Sequence, residues 1–147
     1  MAFLPSLDIS ASGLTAERLR MDLIANNLAN AYSTRSARGG PYRRQMPVFA
    51  ALESPSWPWG AGRTGSASLP GMGVQVAAIV EDPSPPRLVY DPGHPDARPD
   101  GYVEYPNVDV VTEMVDMLAA ERSYQANLAA FGAAAEMARG ALSLIRV

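Results

Sequence analysis

The side chains best equipped for chemistry lie close together in the second half of the chain. His94, the only histidine, is flanked by Asp91, Asp96 and Asp100, a mixture that could ligate a metal or move protons. A zinc site asks for three or four ligands held on supporting structure. The prolines and glycine interleaved from Asp91 to Asp100 are instead the composition of turns, and turn chemistry is the expectation here. Glu81 and Asp82 are adjacent carboxylates, but Pro83 follows them and no apolar pocket is expected to raise either pKa. Arg43 and Arg44 suggest a phosphate site; neighbours on a strand point to opposite faces, so solvated charge is expected. A serine nucleophile would need His94 as its base, and the chain has no Gly-x-Ser-x-Gly, phosphate loop or dinucleotide fingerprint. The expectation is a protein that is not an enzyme, with no cofactor, no metal and no small-molecule substrate.

Charge and composition narrow the partners. Twelve basic against fifteen acidic residues give a net charge of −3, and no basic face stands out along either predicted helix, which argues against nucleic acid. There is no cysteine, so thiolate chemistry and a disulfide framework are both excluded. No apolar run approaches the roughly 18 residues that span a bilayer. Met1 to Asp8 has neither a basic region nor an apolar core, so no cleaved secretory signal is expected.

The elements that must position these residues are two proline-free stretches. From Asn107 to Val147 apolar residues recur at every seventh place, Val110, Met117, Tyr124, Phe131, Ala138 and Ile145. The row four residues on, Met114, Glu121, Leu128, Ala135 and Leu142, is apolar at all but one position, so the two rows read as one stripe on a helix. At 1.5 Å per residue that helix is about 55 Å long, and a narrow stripe sustained so far predicts helix against helix. Met114, Met117 and Met137 on or near it suit adaptable packing.

The partner is sought in the same chain, from Ser6 to Asn30. Leu7, Leu14, Met21 and Leu28 recur at seven, Ala11 and Ala25 extend the row and Arg18 interrupts it. Ile9, Ala16 and Leu23, with the isolated Leu19, widen the apolar surface beyond one seam and suggest more than one neighbour. Asp8, Ser10 and Ser12 are expected to cap the helix start. Asn26, Asn27 and Asn30 cluster in its last turns, where they either cap the helix end or bond across a subunit contact.

Between the helices, Tyr42–Phe49, Gly73–Val80, Arg87–Tyr90 and Gly101–Tyr105 read as short strands, with Pro47 restricting the first to an edge. Residues 53–73, rich in Pro, Gly, Ser and Ala, are expected to form a flexible loop. Trp57 and Trp59 within it should pack on something, in this chain or in the next one. The fold expected is mainly α with a small β element. Long N- and C-terminal helices pair as a coiled-coil-like bundle, and a short-stranded β insertion sits between them. The regions are 1–32, 33–106 and 107–147.

Ser6 to Asn30, with its run Asp22-Leu-Ile-Ala-Asn-Asn-Leu-Ala-Asn30, resembles the N-terminal signature of the bacterial flagellar axial proteins, the rod and hook components. Glu81 to Asp96 and Gly101 to Met117 are similar to a proximal-rod member in particular. Tyr32 stands where the family often has asparagine, and Gln125 where glutamate is common. The resemblance implies a structural subunit of the flagellar basal-body rod, the periplasm-crossing drive shaft that passes torque from motor to hook. It implies partners among the proximal and distal rod subunits and the adaptor that joins the rod to the MS ring. It further implies export through the flagellar type III apparatus. Another axial subunit, or a cytoplasmic coiled-coil export adaptor, is the alternative. The residues expected to pair helices or join subunits are Leu7, Leu14, Met21, Ile24, Leu28, Val110, Met114, Met117, Tyr124, Leu128, Phe131 and Leu142, with Asn26, Asn27 and Asn30 as polar contacts.

Overall fold

The computed structural model describes residues 3–52 and 71–145, so Trp57, Trp59 and most of the loop expected at 53–73 lie outside the described residues. Two helices dominate: α1 (Phe3–Ala29) and α2 (Val110–Ile145). α1 begins five residues before the capping side chains expected from the sequence. Pro5 falls in its first turn, where the missing N–H has no helical partner in any case. Ser10, Ser12 and Thr15 are inside the helix, and their hydroxyls donate to the carbonyls of Ser6, Ile9 and Ala11 instead of capping an end. α2 is capped by Asp109, whose carboxylate accepts from the Val111 and Thr112 amides and, at 2.5 Å, from the Thr112 hydroxyl.

Four strands lie between the helices, β1 (Gln45–Ala51), β2 (Val74–Glu81), β3 (Arg87–Tyr90) and β4 (Tyr102–Tyr105). They form two separate antiparallel ladders, β1 with β2 and β3 with β4. Pro47 sits in β1 opposite Ile79, and the register slips at Val48/Phe49, a bulge on a strand that proline already confines to an edge. The second ladder turns back through Gly101, which adopts φ +80° and leaves Tyr90 room to lie against it. Two-stranded ladders are marginal alone; the first leans on α1, and the second meets the segment after α1, where Tyr32 packs edge-on against Tyr105 of β4. β1 and β2 rest on α1, and Val103 of β4 is completely buried.

α1 and α2 pack along each other in opposite directions. Asn27, near the end of α1, bonds Glu113 near the start of α2, and Gly13 approaches Asn127. The buried positions of the two helices are mostly small or polar, Gly13, Ala16 and Asn27 on α1 and Glu113, Ala120 and Ala134 on α2, with Leu23 and Ile24 the large apolar side chains among them. The seven-spaced leucine row of α1 is only half-buried beside them. Small side chains let two backbones come close, and the longer apolar side chains are displaced to the flank. A Cβ at Gly13 would stand 2.9 Å from the Asn127 amide nitrogen. Gly13→Leu is therefore expected to wedge the helices apart and cost about 1–3 kcal/mol, read as a lowered urea midpoint with little change in slope.

Candidate functional site

The described residues hold one buried polar cluster, where α1, α2 and β1 meet. Glu113 is 0% exposed and Asn27 1%. Asn27 lies alongside the Gln45 backbone, accepting from its N–H at 2.9 Å and donating to its carbonyl at 2.9 Å. The same amide also donates to Glu113 at 3.0 Å and accepts from the Tyr42 hydroxyl at 2.8 Å. Arg44 closes the cluster, with Nε on Glu113 at 2.5 Å and Nη2 on Asp116 at 3.0 Å. Asn107 fixes the Arg44 backbone N–H at 3.0 Å and donates to the carbonyls of Asp82 and Ser84. Burying a carboxylate is tolerable only when its lone pairs are filled, and each Glu113 oxygen has a donor.

The solvated-charge expectation for Arg44 is corrected by this geometry. Its side chain is 19% exposed and its partners lie 69 and 72 positions away in sequence, beyond the reach of any local pattern. Burial pulls the Arg44 guanidinium pKa down, but the hydrogen bond to Glu113 and the charges of Glu113, Asp116 and Asp82 carry it above its usual value. The Tyr42 phenol is also raised, first by burial and then by Glu113 and Glu81. Asn27 uses its whole amide inside the chain, whereas Asn30 bonds back to Asn26 at the helix end and Asn26 is exposed.

The residues around His94 have local work. Nδ1 of His94 accepts from the Asp96 N–H at 3.1 Å, Asp91 accepts from Gly93, and Asp100 from Tyr102. Asp96 itself reaches across to the segment after α1, accepting from Thr34 at 2.7 Å and from Arg35 Nε at 2.6 Å. Those bonds, the Arg35 one foremost, hold its carboxyl below the usual range. The cluster pins one loop to another and presents no cradle of convergent free carboxylates.

Among the described residues, α2 also exposes a series of large apolar side chains. Met114 and Leu128 are each 52% exposed and Leu142 65%. Val111, Val115 and Leu118 are exposed beside them, although spacing did not single these out. Of the remaining residues expected to pair or assemble, Leu7, Leu14, Met21, Leu28, Val110, Met117, Tyr124 and Phe131 are half-buried, and Ile24 is buried. The exposed and half-buried rows share one side of the helix pair. Ser12 and Asn27 of α1 reach β2 and β1, and Asp116 of α2 reaches Arg44. Helical geometry puts the Leu7 row and the Met114 row on the opposite flank.

Comparison with known proteins places this architecture. Residues 7–35 match the family model described as flagella basal body rod protein, and residues 100–144 the model for the C-terminal region of the flagellar basal body rod FlgEFG proteins. The chain is 43% identical to the flagellar basal-body rod protein FlgC of Borreliella burgdorferi, over 99% of both chains. It is 45% identical to the FlgC of Bacillus subtilis over 95% of both, and 44% identical to that of Salmonella typhimurium over 87% of both.

Two outcomes are expected of the polar contacts. Glu113→Leu strands Arg44 and Asn27 and should cost about 3–5 kcal/mol, while adding Arg44→Met should recover much of that loss, measured by chemical unfolding of the single and double variants. Asp96 has a folded pKa below its unfolded one. Its contribution is thus complete above the ordinary aspartate range and is lost as pH falls through the lowered folded value. Thermal melts from neutral to acid pH should show less acid destabilisation in Asp96→Asn than in the parent.

Proposed function

Since this chain belongs to the FlgC family of flagellar basal-body rod proteins and is a structural subunit of that rod, we propose that it assembles through the apolar flank of its helix pair. In this reading regions 1–32 and 107–147 form the axial core, pairing as a coiled-coil-like unit, and region 33–106 is carried on the side away from the flank. Units packed side by side around an axis form the wall of a tube, and the ladders β1–β2 and β3–β4 face outward from it. Such a wall carries torque because each subunit is gripped along the length of α2 rather than at a point.

The observation that carries the proposal is the exposure of long apolar side chains on α2, Met114, Leu128 and Leu142 among them. Contiguous apolar surface of that kind on a structural subunit marks a contact. Partners are the other proximal and distal rod subunits and the rod-to-MS-ring adaptor, reached by export through the flagellar type III apparatus. We assign no catalytic role. No described helix is long and apolar enough to cross a membrane, so rod contacts, not a bilayer, are the proposed cover for the flank.

Leu128 is exposed, so Leu128→Asp should leave the subunit's own fold and cellular level intact. In assembly it would place an unpaired charge in the contact. The variant is expected to be missing from purified basal bodies and non-motile in soft agar. Normal swimming with Leu128→Asp rods would contradict the proposal.

A further inference from the structure

We propose that a groove between α1 and the β1–β2 ladder receives a lysine side chain from a different protein of the basal body, with Glu17 accepting its ammonium group. The inference rests on the chain being a rod subunit with neighbours, and it concerns a surface other than the apolar flank.

The groove has a volume of about 410 Å³ and is walled by Ile9 and Ala16 of α1 and by Phe49 and Val74 of the ladder. Two polar side chains interrupt these walls, Glu17 of α1 and Asn127 of α2. Neither makes a hydrogen bond among the described residues. Oε2 of Glu17 is buried without an acceptor's usual partner, and the Arg20 guanidinium stands 3.8 Å from it, too far for a hydrogen bond. The side chain is only 17% exposed, so water replaces part of what the carboxylate gave up. A carboxylate held in this way is a cost to the free subunit. A donor that arrives with a neighbour removes the cost.

The walls decide which donor fits. They are apolar, which suits a long hydrocarbon stem, and their only acceptors are the Glu17 carboxylate and the Asn127 amide oxygen. The three N–H groups of an ammonium can be shared among these two and water at the open mouth. A guanidinium brings five in a planar fork and would leave some of them against apolar walls. All twelve basic residues of this chain are arginines, and it has no lysine. The lysine therefore comes from another protein, and a copy of this chain cannot supply it. The groove opens on the side of α1 where Ser12 and Asn27 reach the ladder, away from the Leu7 row, so both surfaces can be engaged in one assembly.

For the test, the parent and each variant are supplied to cells lacking the subunit. Isolated basal bodies are treated with a carbodiimide, which forms an amide between a carboxylate and a touching amine, and the linked peptides are read by mass spectrometry. Glu17 is expected to be joined to a lysine of another basal-body protein. Glu17→Gln keeps the shape of the side chain and removes its charge. The purified variant should unfold at the same urea concentration as the parent or a higher one, while subunit in basal bodies and soft-agar swimming fall about tenfold. A Glu17 that stays unlinked, or is joined to the N-terminal amine of a copy, overturns the inference. So does a Glu17→Gln subunit that assembles like the parent, or one that unfolds at lower urea, which makes Glu17 a part of the fold alone. Leu128→Asp in the same assay keeps the two surfaces apart. Assembly blocked by Leu128→Asp but not by Glu17→Gln removes the groove contact and leaves the flank reading standing; the reverse removes the flank reading and leaves the groove contact.

Discussion

A carboxylate with no exposed surface, Glu113, can exist where it does only because Arg44 and Asn27 reach it from two other elements. That requirement ties α1, β1 and α2 into one arrangement. If α1 slipped by a turn along α2, Asn27 would lose Glu113 and a buried charge would be half-solvated by nothing. A slip of β1 would take away both Arg44 and the Gln45 backbone that Asn27 holds. An apolar seam of Gly13, Ala16, Ala120 and Ala134 has little such discrimination, because small residues pack almost as well one turn out of place. The polar cluster supplies the register, and the apolar contacts supply the bulk of the burial.

That division explains the odd distribution of large side chains. In a self-sufficient two-helix domain the leucines would occupy the seam, since that is where they remove the most apolar surface from water. Here close approach of the helices by way of Gly13 and the alanines leaves Leu7, Leu14, Met21 and Leu28 half-buried and Met114, Leu128 and Leu142 largely exposed. An isolated subunit is thereby less stable than its composition allows. On the proposed mode of assembly the same surface becomes favourable once a neighbour covers it, and the cost to the monomer becomes the driving force for the polymer.

The helices, the four strands and the turn around His94 were legible from the chain because each has a local cause: proline-free runs with a seven-residue repeat, short β-branched or aromatic runs, and Asp-Pro punctuation. Family membership was legible from the Asn26–Asn30 and Asp91–Asp96 stretches. The most buried positions of the helix pair were legible in part: Ala16, Leu23 and Ile24 stood out as apolar and are buried, whereas Gly13, Asn27, Glu113, Ala120 and Ala134 keep a seven-residue spacing with small or polar side chains that do not register as an apolar row. Arg44 was misread for a related reason. Its charge is matched by Glu113 and Asp116, about seventy positions away, beyond the reach of any local pattern.

The central claim is that one flank of the helix pair is open in the subunit and closed in the rod, whereas the Asn27–Glu113 cluster is closed in both. Single cysteines at Met114, Leu128 and Ala120, the last fully buried beside the cluster, in a chain that has none of its own, allow thiol labelling of free subunit and of isolated basal bodies. Met114→Cys and Leu128→Cys should label rapidly in the free subunit and become protected in the basal body, with Ala120→Cys slow in each. Equal labelling of Leu128→Cys in the two states would contradict the account.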